Sequence, residues 1–111
     1  MNLNNTNLNF SMEFGLIDGR IYIIGREGHI RINSPSVSRQ HVEMTIKNRR
    51  VYLRDMDSTN GTYLIIDNHL VRLDEGYVDQ HQTIVIGNVK CTPWNLLATN
   101  RANSDSINHP R

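Results

Sequence analysis

Apolar residues in this chain recur at every second position over short runs, and that spacing restricts the fold more than any other feature. Leu8, Phe10, Met12 and Phe14 are separated by Asn9, Ser11 and Glu13. Successive strand side chains point to opposite faces, so this alternation predicts a strand buried on one side. Asp18-Gly19 then suits the positive φ angles of a tight turn, and a β-branched run follows over 21–24. Alternation returns at Val42, Met44 and Ile46, breaks at Asn48-Arg49-Arg50, and resumes at Val51 and Leu53, which predicts a hairpin. Further short runs over 63–66, 70–73, 83–86 and 89–91 extend the series, and no 3.6-residue period competes with it. Many short strands separated by turn signals predict an all-β fold, a β-sandwich.

With 111 residues there is length for one domain, set at 8–98 between an Asn-rich tail, 1–7, and a polar tail or linker start, 99–111. Lys and Arg total 12 against 11 Asp and Glu. Such a balance offers no broad basic face, so neither nucleic acid nor an anionic membrane is expected as a partner. The start of the chain lacks the basic and apolar regions of a signal peptide, and no run approaches the length of a membrane span. A cytoplasmic location is expected, and the lone Cys91 fits a reducing compartment while reading first as a small buried hydrophobe.

Two polar stretches, 25–40 and 55–61, interrupt the strands, and long connections in compact β domains often carry binding sites. If 42–46 and 51–53 form a hairpin, its outer ends lie about 5 Å apart, which brings Ser38 and Thr59 together. Arg26 stands where the strand over 21–25 gives way to the same loop. Guanidinium groups from Arg26 and Arg39, hydroxyls from Ser38 and Thr59, and the amide of Asn60 all donate hydrogen bonds. A phosphate ester with about −1.5 to −2 charge suits such a set better than a carboxylate.

Gly25-Arg26, Ser38-Arg39-Gln40-His41, Asp55 with Ser58-Thr59-Asn60-Gly61-Thr62, and Ile86-Gly87, in this order and spacing, resemble the forkhead-associated (FHA) domain from about Ile23 to Gly87. The resemblance implies a sandwich of about eleven mostly antiparallel strands whose apical loops bind phosphothreonine peptides. It assigns Arg26, Ser38, Arg39 and Thr59 to the phosphate, Asn60 to the peptide backbone, and Ser36 to sensing the third residue after the phosphothreonine. Gly25 and His41 take loop-shaping roles, and turn geometry alone accounts for Gly61. The implied partner is a phosphothreonine-containing protein, the substrate of a Ser/Thr kinase, bound without cofactor or catalysis. Two departures from the family pattern stand out: Ile66-Asp67-Asn68-His69 replaces an Asn-Gly turn, and His81-Gln82 replaces a Gly-Asp pair.

Other readings compete. Ser38, His41 and Asp55 invite a hydrolase, but no Gly-x-Ser-x-Gly elbow is present, and His41 reads better as a hydrogen-bonded structural histidine. The five histidines show no paired metal-ligand spacing. Asp74-Glu75 reads as a solvated turn and Trp94 as packing at the sandwich rim. A phosphate-independent interaction module on the same fold, working through a strand edge or the altered 66–69 turn, is the alternative function.

Overall fold

The computed structural model describes residues 19–48 and 50–98. The strand predicted over 8–14, Asp18 of the first turn and both tails lie outside the described residues.

Among the described residues nine strands form two sheets. β1 (Ile21–Gly25), β2 (Ile30–Arg31), β3 (Val42–Lys47), β4 (Arg50–Asp55) and β7 (Glu75–Val78) make a five-stranded sheet in the order β2-β1-β3-β4-β7. β5 (Thr62–Ile66), β6 (His69–Arg72), β8 (Ile84–Ile86) and β9 (Val89–Cys91) make the other, in the order β6-β5-β8-β9. All pairings are antiparallel except β1 with β2. The count falls below the eleven implied by resemblance, and the alternating 8–14 segment is among the residues left out of it.

Alternation sorts the side chains as expected. Val42, Met44 and Ile46 of β3 and Val51 and Leu53 of β4 are buried, while Lys47, Arg50 and Arg54 are exposed. These apolar residues pack with Ile24 from β1 and Ile84 and Ile86 from β8 into one core. The β3–β4 register, from Val42 opposite Asp55 to Lys47 opposite Arg50, confirms the predicted hairpin. Asn48 turns it with φ of 50°. The altered turn between β5 and β6 keeps hairpin geometry, because Asp67 and Asn68 both adopt the left-handed conformation, at 51° and 66°. Asp and Asn tolerate that region better than other side chains, so an Asn-Gly pair is dispensable here.

Two sequence expectations are corrected, and one element is added. The 25–40 stretch is not all loop, because Ile30–Arg31 pairs in parallel with β1 through Ile24 and Gly25. Glu75 does not belong to a solvated turn; it opens β7, whose pairing with β4 satisfies backbone groups along that strand's outer edge. Its sequence, Glu-Gly-Tyr-Val, lacks the alternation that reveals a strand. Finally, residues 93–98 form a short helix, too brief to show helical periodicity. Trp94 on it packs against the core and lies tilted beside His81, with ring centroids 5.6 Å apart. Cys91 also packs against the core, and burial pushes its thiol up to about 12.

Candidate anion-binding site

Backbone hydrogen bonds between the turn after β1 and the loop before β3 extend the contact beyond the paired strands. The Arg26 amide donates to the Ser38 carbonyl at 3.0 Å, and the Glu27 amide to the Arg39 carbonyl at 2.9 Å. Gly25 permits this approach: a Cβ there would overlap the Arg39 carbonyl and stand 2.7 Å from the Ser38 carbonyl oxygen. Glycine is therefore required at this position by space and not by φ.

The loop after β4 is wound around Asp55. Its carboxylate accepts from the Ser58 amide at 3.0 Å, the Ser58 hydroxyl at 2.7 Å and the Thr62 hydroxyl at 2.7 Å. Burial pushes the Asp55 carboxyl up, but these donors outweigh it and hold the group below its ordinary range. The Ser58 hydroxyl oxygen also accepts from the Gly61 amide at 2.9 Å, and Gly61 turns the chain into β5 with φ of 86°.

His41 ties the two loops together. Fully buried, it accepts from the Ser38 amide at Nδ1, 3.0 Å away, and its Nε2 lies 2.8 Å from the Gly61 carbonyl oxygen. Those partners require the neutral tautomer with its proton on Nε2. The imidazole engages Ser38 through the backbone amide, not the hydroxyl, and so is not arranged to activate a nucleophile. That hydroxyl instead accepts from the Thr59 amide at 3.1 Å.

The outcome is an open hollow of about 300 Å³ at the end of the sandwich, lined by Arg26, Pro35, Ser36, Ser38, Arg39, Thr59 and Asn60, with the backbone of the core residue Val37 beneath them. None of these residues is acidic. Arg26 Nε donates to the Val37 carbonyl at 2.6 Å, which fixes the guanidinium and leaves its two outer nitrogens for a ligand. Arg39 pairs with Glu27 at 3.5 Å. The Asn60 amide nitrogen donates to the Ser36 carbonyl at 2.9 Å, leaving its side-chain oxygen to accept a peptide N–H.

Arg26, Ser36, Ser38, Arg39, Thr59 and Asn60 therefore all line the hollow, and Gly25, His41 and Gly61 lie in the segments that shape it. Ser36 is present, with its hydroxyl engaged: it donates to Asn88 Oδ1 at 2.8 Å and accepts from the Asn88 amide at 3.0 Å. Gly87 beside it has no room for a Cβ against the Ser36 carbonyl. The Gly87-Asn88 turn is thus a third support of the site. Gly87 was visible in the motif without a role, whereas the Asn88 contact with Ser36 was missed, and no local signal marks it, because 52 residues separate the partners. Asp55 and Ser58 were visible in the motif but without a role.

Among the described residues no group of three or more His, Cys, Asp or Glu gathers as a metal would need. Nor is any described helix long and apolar enough to cross a membrane.

A two-sheet sandwich with an acid-free, arginine-bearing hollow between its end loops belongs to the class of β-sandwich binding domains. Residues 22–87 match the sequence model of the FHA domain, and the chain belongs to that family. It is similar to the FhaA FHA domain complexed with the intracellular domain of Rv3910, with 31% identity over 68% of this chain and 79% of that one and a TM-score of 0.55. A structure from an analysis of phosphothreonine-dependent FHA domain interactions shares 29% identity over 69% of this chain and 77% of that one, TM-score 0.59. The FHA domain of the CT664 protein from Chlamydia trachomatis shares 25% identity over 68% and 75%, TM-score 0.57. Comparison with curated protein sequences gives no match.

Proposed function

We propose that this domain binds phosphothreonine-containing segments of partner proteins and is not an enzyme. One observation carries the reading: Arg26, Arg39, Ser38 and Thr59 converge on a single hollow that contains no acid. Each hydrogen bond to a charged group contributes about 1.5–3 kcal/mol net, so three or four to a phosphate give useful affinity. Arg26 and the Ser38 and Thr59 hydroxyls take the phosphate, and Asn60 takes the peptide backbone. Pro35 offers an apolar wall for the threonine γ-methyl, whose burial alone contributes about 0.8 kcal/mol, a fourfold preference over phosphoserine. The partner is a substrate of a Ser/Thr kinase, and we assign the encounter to the cytoplasm, where the unpaired Cys91 thiol stays reduced.

The test is a phosphopeptide library screen with wild type and Arg26→Ala, followed by titration of matched phosphorylated and unphosphorylated peptides. Phosphate-dependent binding that is lost in Arg26→Ala and weakened by salt is expected. Equal affinity for both peptide forms would overturn the reading.

A second reading is favoured by one feature. The edge strand β6 is exposed along its whole length, with Leu70 at 63% and Val71 at 43%, and Ile66 before it at 43%. Such an edge can pair with an added strand without any phosphate. In that case Arg26→Ala leaves partner capture intact, whereas charged substitutions at Leu70 and Val71 abolish it.

A further inference from the structure

Glu27 brings a carboxylate to the rim of a site otherwise suited to anions. Its amide donates to the Arg39 carbonyl at 2.9 Å, which holds the two turn residues side by side. Their side chains meet, with Arg39 Nε 3.5 Å from Glu27 Oε2. The turn carrying Glu27 has little freedom to move away. Gly28 N–H bonds back to the Gly25 carbonyl at 3.4 Å, and a Cβ at Gly28 would overlap the Ile23 carbonyl. The two cations of the hollow are therefore held differently. Arg26 is anchored by a backbone carbonyl, and Arg39 by a competing anion.

We propose that Glu27 is an internal competitor for Arg39, so that a bound phosphate gains this cation only by displacing the carboxylate. The inference rests on the phosphothreonine reading above. Both side chains are largely in solvent, Arg39 at 72% and Glu27 at 62%, so the pair is weak. It lowers ligand affinity by a factor of about two to five. A phosphate with about −1.5 to −2 charge outcompetes a single carboxylate for the guanidinium. Once displaced, the Glu27 carboxylate remains tethered beside the ligand by its backbone bond. There it attracts a Lys or Arg flanking the phosphothreonine and repels an Asp or Glu.

The experiment uses alanine-based peptides with one central phosphothreonine flanked by Ala, Lys or Glu, titrated into wild type, Glu27→Gln, Arg39→Gln and the double variant. Glu27→Gln is expected to bind the Ala-flanked peptide about two- to five-fold more tightly and to lose the wild-type preference for Lys over Glu flanks. In the Arg39→Gln background the gain on the Ala-flanked peptide disappears. Unchanged or weaker binding by Glu27→Gln, or a gain that persists without Arg39, would overturn the competitor role. Failure of wild type to bind any of the phosphorylated peptides, or indifference to Arg26→Ala, would instead remove the phosphothreonine reading beneath it.

Discussion

His41 and Gly61, twenty residues apart, are joined by a buried hydrogen bond of 2.8 Å between the imidazole Nε2 and the carbonyl oxygen. Because Nδ1 accepts from the Ser38 amide, one side chain sets the spacing of both loops that form the hollow. His41→Ala removes both bonds and leaves a cavity, with an expected loss of about 2–4 kcal/mol. Urea unfolding measures this. His41→Phe, which restores the volume but not the bonds, should recover only part of it.

Arg26 is not replaceable by lysine. Its Nε is committed to the Val37 carbonyl, and only a guanidinium then presents further donors on separate nitrogens in a fixed plane, whereas a lysine ammonium has a single nitrogen to share between carbonyl and ligand. Arg26→Lys should therefore weaken phosphothreonine peptide binding by about ten- to a hundred-fold at unchanged net charge. Calorimetric titration of wild type and variant checks it; retention of full affinity would show that charge alone suffices.

Gly25→Ala tests the close approach of β1 to the 38–39 backbone. Since a Cβ meets backbone atoms of Arg39 and Ser38, one segment must shift. Overpacking of this kind costs about 1–3 kcal/mol. The bonds from the Arg26 and Glu27 amides should lengthen, which amide hydrogen exchange at those two positions would register as lost protection.

Acid should loosen the second loop before neutral conditions do. In the folded chain the Asp55 carboxyl lies below its ordinary range, whereas in the unfolded chain it titrates near about 3.9. A lowered folded value means that its ionised bonds stabilise the fold at all pH above that ordinary value. The contribution is lost as pH falls toward and through the folded value. The urea midpoint of wild type should fall more steeply below about pH 4 than that of Asp55→Asn, which starts lower at pH 7.

Strand alternation was legible where one face meets the core and the other meets water, as in β3 and β4. The 38-to-59 convergence followed from the same hairpin, since two paired strands of equal length must end side by side. β2 was not legible, because two residues cannot display a period. β7 was hidden for a different reason: its place depends on the edge and side chains of β4, such as Tyr52 against Tyr77, which lie far away in the sequence. The Asn88 contact with Ser36 belongs to the same kind, a hydrogen bond between residues that only the packing of two sheets makes neighbours.

By itself, then, the sequence determined the alternating strands, β3 and β4 above all, and which polar residues gather at their ends, because both follow from local periodicity and chain connectivity. Tertiary structure alone decided how those residues are held: Arg26 by a carbonyl, Arg39 by Glu27, Ser36 by a distant turn. Such partners are chosen by distance in space, and separation along the chain does not encode it.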